Sequence, residues 1–461
     1  MGHVPARSVR QAGPGHHLQG RQHRRGRQAG ASASGVGAHR SVDAGQDSAA
    51  GRVGSTSSVP QPGDDPFYAP PPGLADLPPG TVVRSRRVQL AFFGRIRRGA
   101  ATQLMYRSTD AHGNPEAAVT TVVVPRGRDP RTCPLLSYQC AIDAVAARCF
   151  PSYALRLGSQ LVGASVQAEF LFVAAALARG WAVSIPDHEG LQGMWGAPYE
   201  AGFRVLDGLR AAVSHEPLGL SPDARMAMWG YSGGGLATGW AAEAAADYAP
   251  ELDVAGAVLG SPVVDPENVA RRLNSTRWAG LAALMIASLV HVFPEARAVV
   301  DKHATAEGKV LLSEIEGMST GSAIHRLRNK DIADYVDLTF EELFALPELR
   351  YIFDMTRLGQ AIPSMPVLVI QGVHDRIVDV GDVDGLVRHY TEGGATVRYH
   401  RDPLAEHLLL YPFAVPMSLR WLGNRLEREH RGGRSTWPAV LDTGTYRDLA
   451  GVLPGLARRR R

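Results

Sequence analysis

Lysine is nearly missing from this chain: of its 49 basic residues only Lys302, Lys309 and Lys330 are lysines, and the other 46 are arginines. That bias reads as genome composition rather than as selection for phosphate-gripping forks. Cysteine is scarce too. Cys133, Cys140 and Cys149 are an odd number, so a monomer keeps at least one free thiol, and Cys140–Cys149 is the one bridge to consider. No motif points to chemistry at a thiol. No stretch of about 18 uncharged apolar residues occurs, so no membrane-spanning helix is expected. Phe, Tyr and Trp are absent from residues 1–60, which run through His, Arg, Gly, Ser and Gln. Such a segment cannot bury enough apolar surface to offset its chain entropy. Residues 1–63 therefore read as a disordered basic extension, and they lack the apolar stretch of about 7–15 residues of a signal peptide.

The net charge of +4 conceals a division: +6 sits in residues 1–60, leaving −2 for the remainder. With a nearly neutral folded part, nucleic acid is not the expected partner. With 461 residues and 45% hydrophobic content, the chain can build a sizeable core. At about 150 residues per domain, the length suits two or three domains or one large α/β unit with an insertion.

Order should begin near Asp64, ahead of a strand at Thr81–Leu90. Further strand-like runs are Val119–Val124, Pro134–Gln139, Trp181–Ile185, Ala224–Tyr231, Val254–Leu259, Val367–Gln371 and Thr396–His400. Helical patterns fall between them at Val166–Arg179, Tyr199–Val213 and Leu236–Tyr248. Alternation of this kind predicts an α/β fold with a mostly parallel sheet covered on both faces. From about Asp265 to Ile362 only helical patterns occur, among them the nearly all-apolar Trp278–Phe293. The expected organisation is a core over 64–263 and 363–440, a helical lid or cap insertion over 264–362, and a tail over 441–461.

Gly230-Tyr231-Ser232-Gly233-Gly234 fits G-x-S-x-G, with an apolar strand leading in and a small-residue helix leading out. Glycines belong there because a strained strand-to-helix turn leaves no room for side chains. Serine at its ordinary pKa is a poor nucleophile, so it requires a base and an acid to orient that base. In chain order these should be Ser, then Asp or Glu, then His. Asp375, at the end of the strand Val367–Gln371, is the candidate acid; Asp379, Asp382 and Asp384 lie further on, where a helix should start. His407, past the last strand, is the candidate base. His400 lies within that strand, and His374 and His389 precede it. The first oxyanion donor should be the N–H of Gly233, and the second should come from the loop after Pro134–Gln139, which contains Asp143. Asp187-His188-Glu189 reads as a hydrogen-bonding loop near the site. No cofactor and no metal is called for, since no second His/Asp/Glu pair has ligand spacing.

The combination Asp65-Pro66-Phe67-Tyr68, Ser137-Tyr138-Gln139, Pro151-Ser152-Tyr153, Asp187-His188-Glu189-Gly190, Leu206–Arg210, Gly230–Gly234 and Ala405-Glu406-His407 resembles the secretory lipase family over about Asp65 to Leu422. The resemblance implies an α/β-hydrolase fold with a helical lid, hydrolysis of triacylglycerols and other carboxylic esters, and transient contact with a lipid–water interface. It also implies secretion, for which residues 1–63 supply no signal. It implies Ser232, Asp375 and His407 as the triad and assigns Asp143 to the oxyanion hole. An ionised carboxylate there would repel an oxyanion. Asp143 must either give its main-chain N–H or carry a proton, and the second is expected in an apolar pocket.

Three other functions compete. A short-chain carboxylesterase would share the same chemistry. A prolyl-oligopeptidase-type peptidase needs a propeller, usually ahead of the elbow, and only 231 residues precede Ser232. A non-catalytic binding module on a hydrolase scaffold would need none of the three residues.

Overall fold

Along Met226–Tyr231 every residue is buried, and alternate positions join different clusters. Met226 and Met228 belong to one apolar cluster, while Ala227, Trp229 and Tyr231 belong to another. Val367 and Val369 part from Leu368 and Ile370 in the same way. A strand buried on both faces reads as a continuous apolar run, which is how these appear in the sequence.

The computed structural model describes residues 59–92, 95–160, 165–426, 433–435 and 438. The basic extension expected over 1–63 lies outside them up to residue 58, as does the tail expected over 441–461. The strands are β1 (Val82–Phe92), β2 (Arg95–Thr109), β3 (Pro115–Val123), β4 (Leu135–Gln139), β5 (Ala182–Pro186), β6 (Met226–Tyr231), β7 (Val254–Gly260), β8 (Val367–Gly372), β9 (Val397–Asp402) and β10 (Gly433–Ser435). They form one sheet in the order β1-β2-β3-β5-β4-β6-β7-β8-β9-β10. Pairing is antiparallel from β1 through β3 to β5 and parallel from β5 through β4 to β10. The expected mostly parallel sheet is present.

The sequence reading passed over β2, a strand of 15 residues. Its run Leu104-Met105-Tyr106 is wholly buried and so shows no alternation, because both faces of the sheet are covered there. The first described element is a 3₁₀ turn at Pro62–Asp64, where the sequence led us to expect order from about Asp64.

The helices are α1 (Pro151–Ala154), α2 (Val166–Ala178), α3 (Glu200–Ser214), α4 (Gly233–Tyr248), α5 (Pro266–Leu273), α6 (Ala279–Val292), α7 (Pro294–His303), α8 (Ala306–Glu316), α9 (Thr320–Arg326), α10 (Phe340–Ala345), α11 (Pro347–Thr356), α12 (Val380–Glu392) and α13 (His407–Leu426). Helices α3, α4 and α12 give Leu206, Trp240 and Leu386 to one face; α2 and α13 give Val173 and Leu419 to the other. Between β7 and β8 the chain runs through α5 to α11 without adding a strand to the sheet. Among these, α6 is apolar all round and buried along most of its length, as such a helix must be. The return to β8 is clamped by the buried Glu243 of α4, which accepts from the N–H groups of Gly359 (2.7 Å), Gln360 (2.9 Å) and Ala361 (3.1 Å) and from the Tyr390 hydroxyl.

Candidate active site

Ser232 stands between β6 and α4 with φ +57°, a left-handed conformation unusual for a side-chain-bearing residue. The turn closes because its glycines are bare: a Cβ on Gly230 would collide with the carbonyl oxygen of Gly234, and one on Gly234 with that of Gln139. Ser232 N–H donates to Gly260 O at 2.8 Å, tying the elbow to the end of β7.

The structure brings the three sequence candidates together. Ser232 Oγ lies 3.0 Å from His407 Nε2, and His407 Nδ1 lies 2.7 Å from Asp375 Oδ2. A carboxylate can only accept, so Nδ1 carries the ring proton and Nε2 is left to accept from the serine hydroxyl. Burial disfavours the charge on Asp375. The His407 ring and the N–H groups of Val378 (2.9 Å) and Ile377 (2.8 Å) outweigh it, holding the carboxyl below its ordinary range. Gln371 Nε2 adds a donor to Oδ2 at 3.2 Å, and Arg272 Nη2 grips the Asp375 carbonyl at 2.9 Å. The carbonyl of His407 accepts from the Tyr231 hydroxyl at 2.7 Å, and the Tyr231 ring stacks on Tyr411 at 4.0 Å.

The rival acids have other partners. Asp379 caps α12 and pairs with Arg272; Asp382 accepts from Asn268; Asp384 accepts from Tyr399. His374 is exposed, His389 sits in the last turn of α12, and His400 is buried in β9, 3.7 Å from Asp402.

Asp143 has φ +46° and places its carboxyl where a Cβ on Gly233 would be. Burial raises its pKa to about 6 against the pull of His407. Its N–H donates to Glu189 Oε1 at 2.9 Å. Asp187-His188-Glu189 forms a hydrogen-bonded loop beside the site. Asp187 accepts from the Ser152 N–H at 2.9 Å and also from its hydroxyl, while His188 Nε2 meets Cys140 O at 2.8 Å. Burial raises Asp187 to about 7 and lowers His188 to about 4. Glu189, Arg272, Gln371 and Thr320, which touches the Asp143 loop, were not singled out as site residues from sequence. Only Glu189 had a signal, as part of the Asp-His-Glu cluster. All three cysteines are buried free thiols, so the Cys140–Cys149 bridge is not formed. Among the described residues no group of three or more His, Cys, Asp and Glu is arranged to hold a metal ion.

Helices α6 to α8 and the segment after α9 line an apolar cavity that opens to solvent, with Ala283, Ile286, Leu311, Ile315 and Leu327 among its walls. Neither Ser232, Asp375 nor His407 lines it. Its link to the site is packing: Ala283, Leu311, Ile315 and Leu327 share a cluster with Val145, two residues beyond Asp143.

A mostly parallel sheet covered on both faces, with a serine elbow after a central strand, defines an α/β-hydrolase. More narrowly, residues 155–433 match the model of the secretory lipase family, and the chain belongs to that family. It is 53% identical over 395 residues to "Probable inactive lipase MT1628" of Mycobacterium tuberculosis, covering 84% of this chain and 88% of that one. It is 35% identical to lipase A of Arthroderma benhamiae, covering 79% and 80%. The X-ray structure of Candida antarctica lipase A superposes with a TM-score of 0.78 at 27% identity, covering 86% of this chain and 95% of that chain.

Proposed function

We propose that this protein is an active triacylglycerol lipase that works through an acyl-enzyme on Ser232. The observation that carries this reading is the unbroken line of hydrogen bonds from Ser232 Oγ through His407 to Asp375. The name of the mycobacterial relative speaks of that protein. Here the nucleophile, the base and the orienting acid all stand at bonding distance, and Asp375 is held ionised.

Ser232 Oγ attacks the ester carbonyl as His407 Nε2 takes its proton, and Asp375 stabilises the imidazolium. The oxyanion that forms meets the N–H of Gly233, free at the start of α4, and the protonated carboxyl of Asp143. His407 then gives the proton to the departing alcohol, leaving the acyl group on Ser232. Water, deprotonated by the same imidazole, releases the acid. In this reading α5 to α11 form the lid, and the apolar cavity behind α6 receives the acyl chain. Burial there is worth about 0.8 kcal/mol per CH₂, which favours long chains over those of a short-chain carboxylesterase.

The test is labelling by a fluorophosphonate, followed by turnover of p-nitrophenyl and glycerol esters of rising chain length. Labelling at Ser232 with turnover that grows with chain length is expected. Absence of labelling would turn the reading to a binding module, and turnover confined to short soluble esters would turn it to an esterase.

A further inference from the structure

Three parts of the chain hold Asp143, each at a different atom. Glu189, just after β5, takes its N–H. Gly233, at the head of α4, makes room for its carboxyl. The third restraint comes from α9, where Thr320 Oγ1 lies 2.8 Å from the carbonyl oxygen of Ile142 and 3.1 Å from that of Asp143. A hydroxyl has one proton to donate, so the two carbonyls share it. Thr320 is buried, and the bond does not compete with water in the open.

Asp143 has a use for a third restraint. Its left-handed backbone costs on the order of 1–3 kcal/mol and persists only where the surroundings over-determine it. Two of its holders belong to the sheet framework; Thr320 belongs to the helices between β7 and β8. Further contacts run in the same direction. Arg148 Nη2 donates to the carbonyl of Gly317, just before α9, and Val145 packs with Leu284 and Ala323. The segment 142–148 is thus seated against α6 and the α8–α9 junction.

We propose that Thr320 is a positioning residue, whose hydroxyl fixes the main chain of Asp143 so that the carboxyl faces the oxyanion only while α9 is docked. The inference rests on the functional reading of Ser232 and Asp143 given above and adds a dependence on the position of the helical insertion. Displacing α9 would remove one of the three restraints, leaving Ser232 and His407 in place but the oxyanion site slack. Misplacement of a catalytic group by about 1 Å can cost on the order of 10²-fold in rate.

The experiment uses the full chain with Thr320→Val, which keeps the shape and removes the hydroxyl, and Thr320→Ser, which keeps the hydroxyl. Each is made alone and with Asp143→Leu, and p-nitrophenyl butyrate is the substrate. Thr320→Val should lower kcat about tenfold with KM within about twofold, and Thr320→Ser should restore it. In the Asp143→Leu background Thr320→Val should change nothing further. Amide hydrogen exchange over residues 141–148 should quicken in Thr320→Val with Tm unchanged. Wild-type kcat and exchange in Thr320→Val overturn the proposal. So does an equal loss in the Asp143→Leu background, or a serine variant as poor as valine. Should Thr320→Val unfold, Thr320→Ala takes its place: the same loss of kcat and quickened exchange support the proposal, and wild-type values overturn it. A wild type that a fluorophosphonate fails to label refutes the functional reading itself; a labelled, active wild type with an indifferent Thr320 refutes this inference alone.

Discussion

The N–H of Asp143 donates to Glu189 Oε1 at 2.9 Å, so that amide is already taken when an ester arrives. On the proposed mechanism, Asp143 would then serve an oxyanion by a protonated side chain rather than by its main chain. The carboxyl remains, lying against Gly233. Glu189 is itself buried and pushed well above its ordinary range, first by desolvation and then by the neighbouring Asp143 charge.

On the proposed mechanism, protonation of Asp143 should shape the pH profile. With its pKa raised to about 6, the donor is present below that pH and lost above it, so kcat should decline on the alkaline side. Asp143→Asn keeps a donor that does not titrate and should flatten the alkaline limb. Asp143→Leu should lower kcat by roughly 10²–10³. Profiles of kcat from pH 4 to 9 check this; a leucine variant matching wild type throughout would remove the side chain from catalysis.

Ser232→Ala should abolish turnover and leave Tm within a few degrees, because losing one oxygen creates little cavity. Asp375→Asn should keep a trace, on the order of 10⁴ below wild type, since the ring would be held in the wrong tautomer. Purified variants assayed beside wild type settle both points.

Ala283 lines the cavity and is buried, so Ala283→Phe should fill space rather than break packing. The ratio of kcat/KM for palmitate over butyrate esters should fall at least tenfold, with butyrate nearly unchanged. Each CH₂ denied burial is worth up to about 0.8 kcal/mol. An unaltered ratio would divorce the cavity from the acyl chain.

Stability should respond to pH through Asp187. Burial raises its folded pKa to about 7 from 3.8, so the folded state holds a proton that the unfolded chain has released. Its contribution is complete below about pH 4 and is lost as pH rises toward and through 7. Burial of neutral His188, with its pKa lowered to about 4, acts oppositely between about pH 4 and 6.5. Asp187→Asn imitates the protonated acid toward Ser152. It should lose little Tm at pH 5, gain a few degrees at pH 8, and show a flatter dependence between them. Thermal melts across that range measure it.

How much could be read from the sequence follows from the range of each interaction. Ser232 was legible because strand, glycines and helix are contiguous, and Asp375 because it ends a strand. His407 followed from chain order. The residues that hold these in place were not legible in those roles. Glu189 lies 46 positions from Asp143, Thr320 lies 177 away, and Arg272 reaches Asp375 across 103 residues. No local pattern encodes a contact of that span. The central strands announced themselves by unbroken apolar runs, whereas β2 has Arg, Gly and Gln interspersed along its sequence and gave neither a run nor an alternation.

Glu243 has a bearing on engineering. The helix that presents Ser232 at its first turn carries, three turns on, a buried carboxyl whose acceptors are filled by the peptide at residues 359–361. An insertion transplanted from a relative must therefore bring back a returning segment of matching amides. Otherwise the graft leaves a carboxylate stranded in the interior, and the damage begins on the helix that follows Ser232. Exchange boundaries are better drawn beyond Ala361, with Glu243 and Tyr390 carried along as a unit.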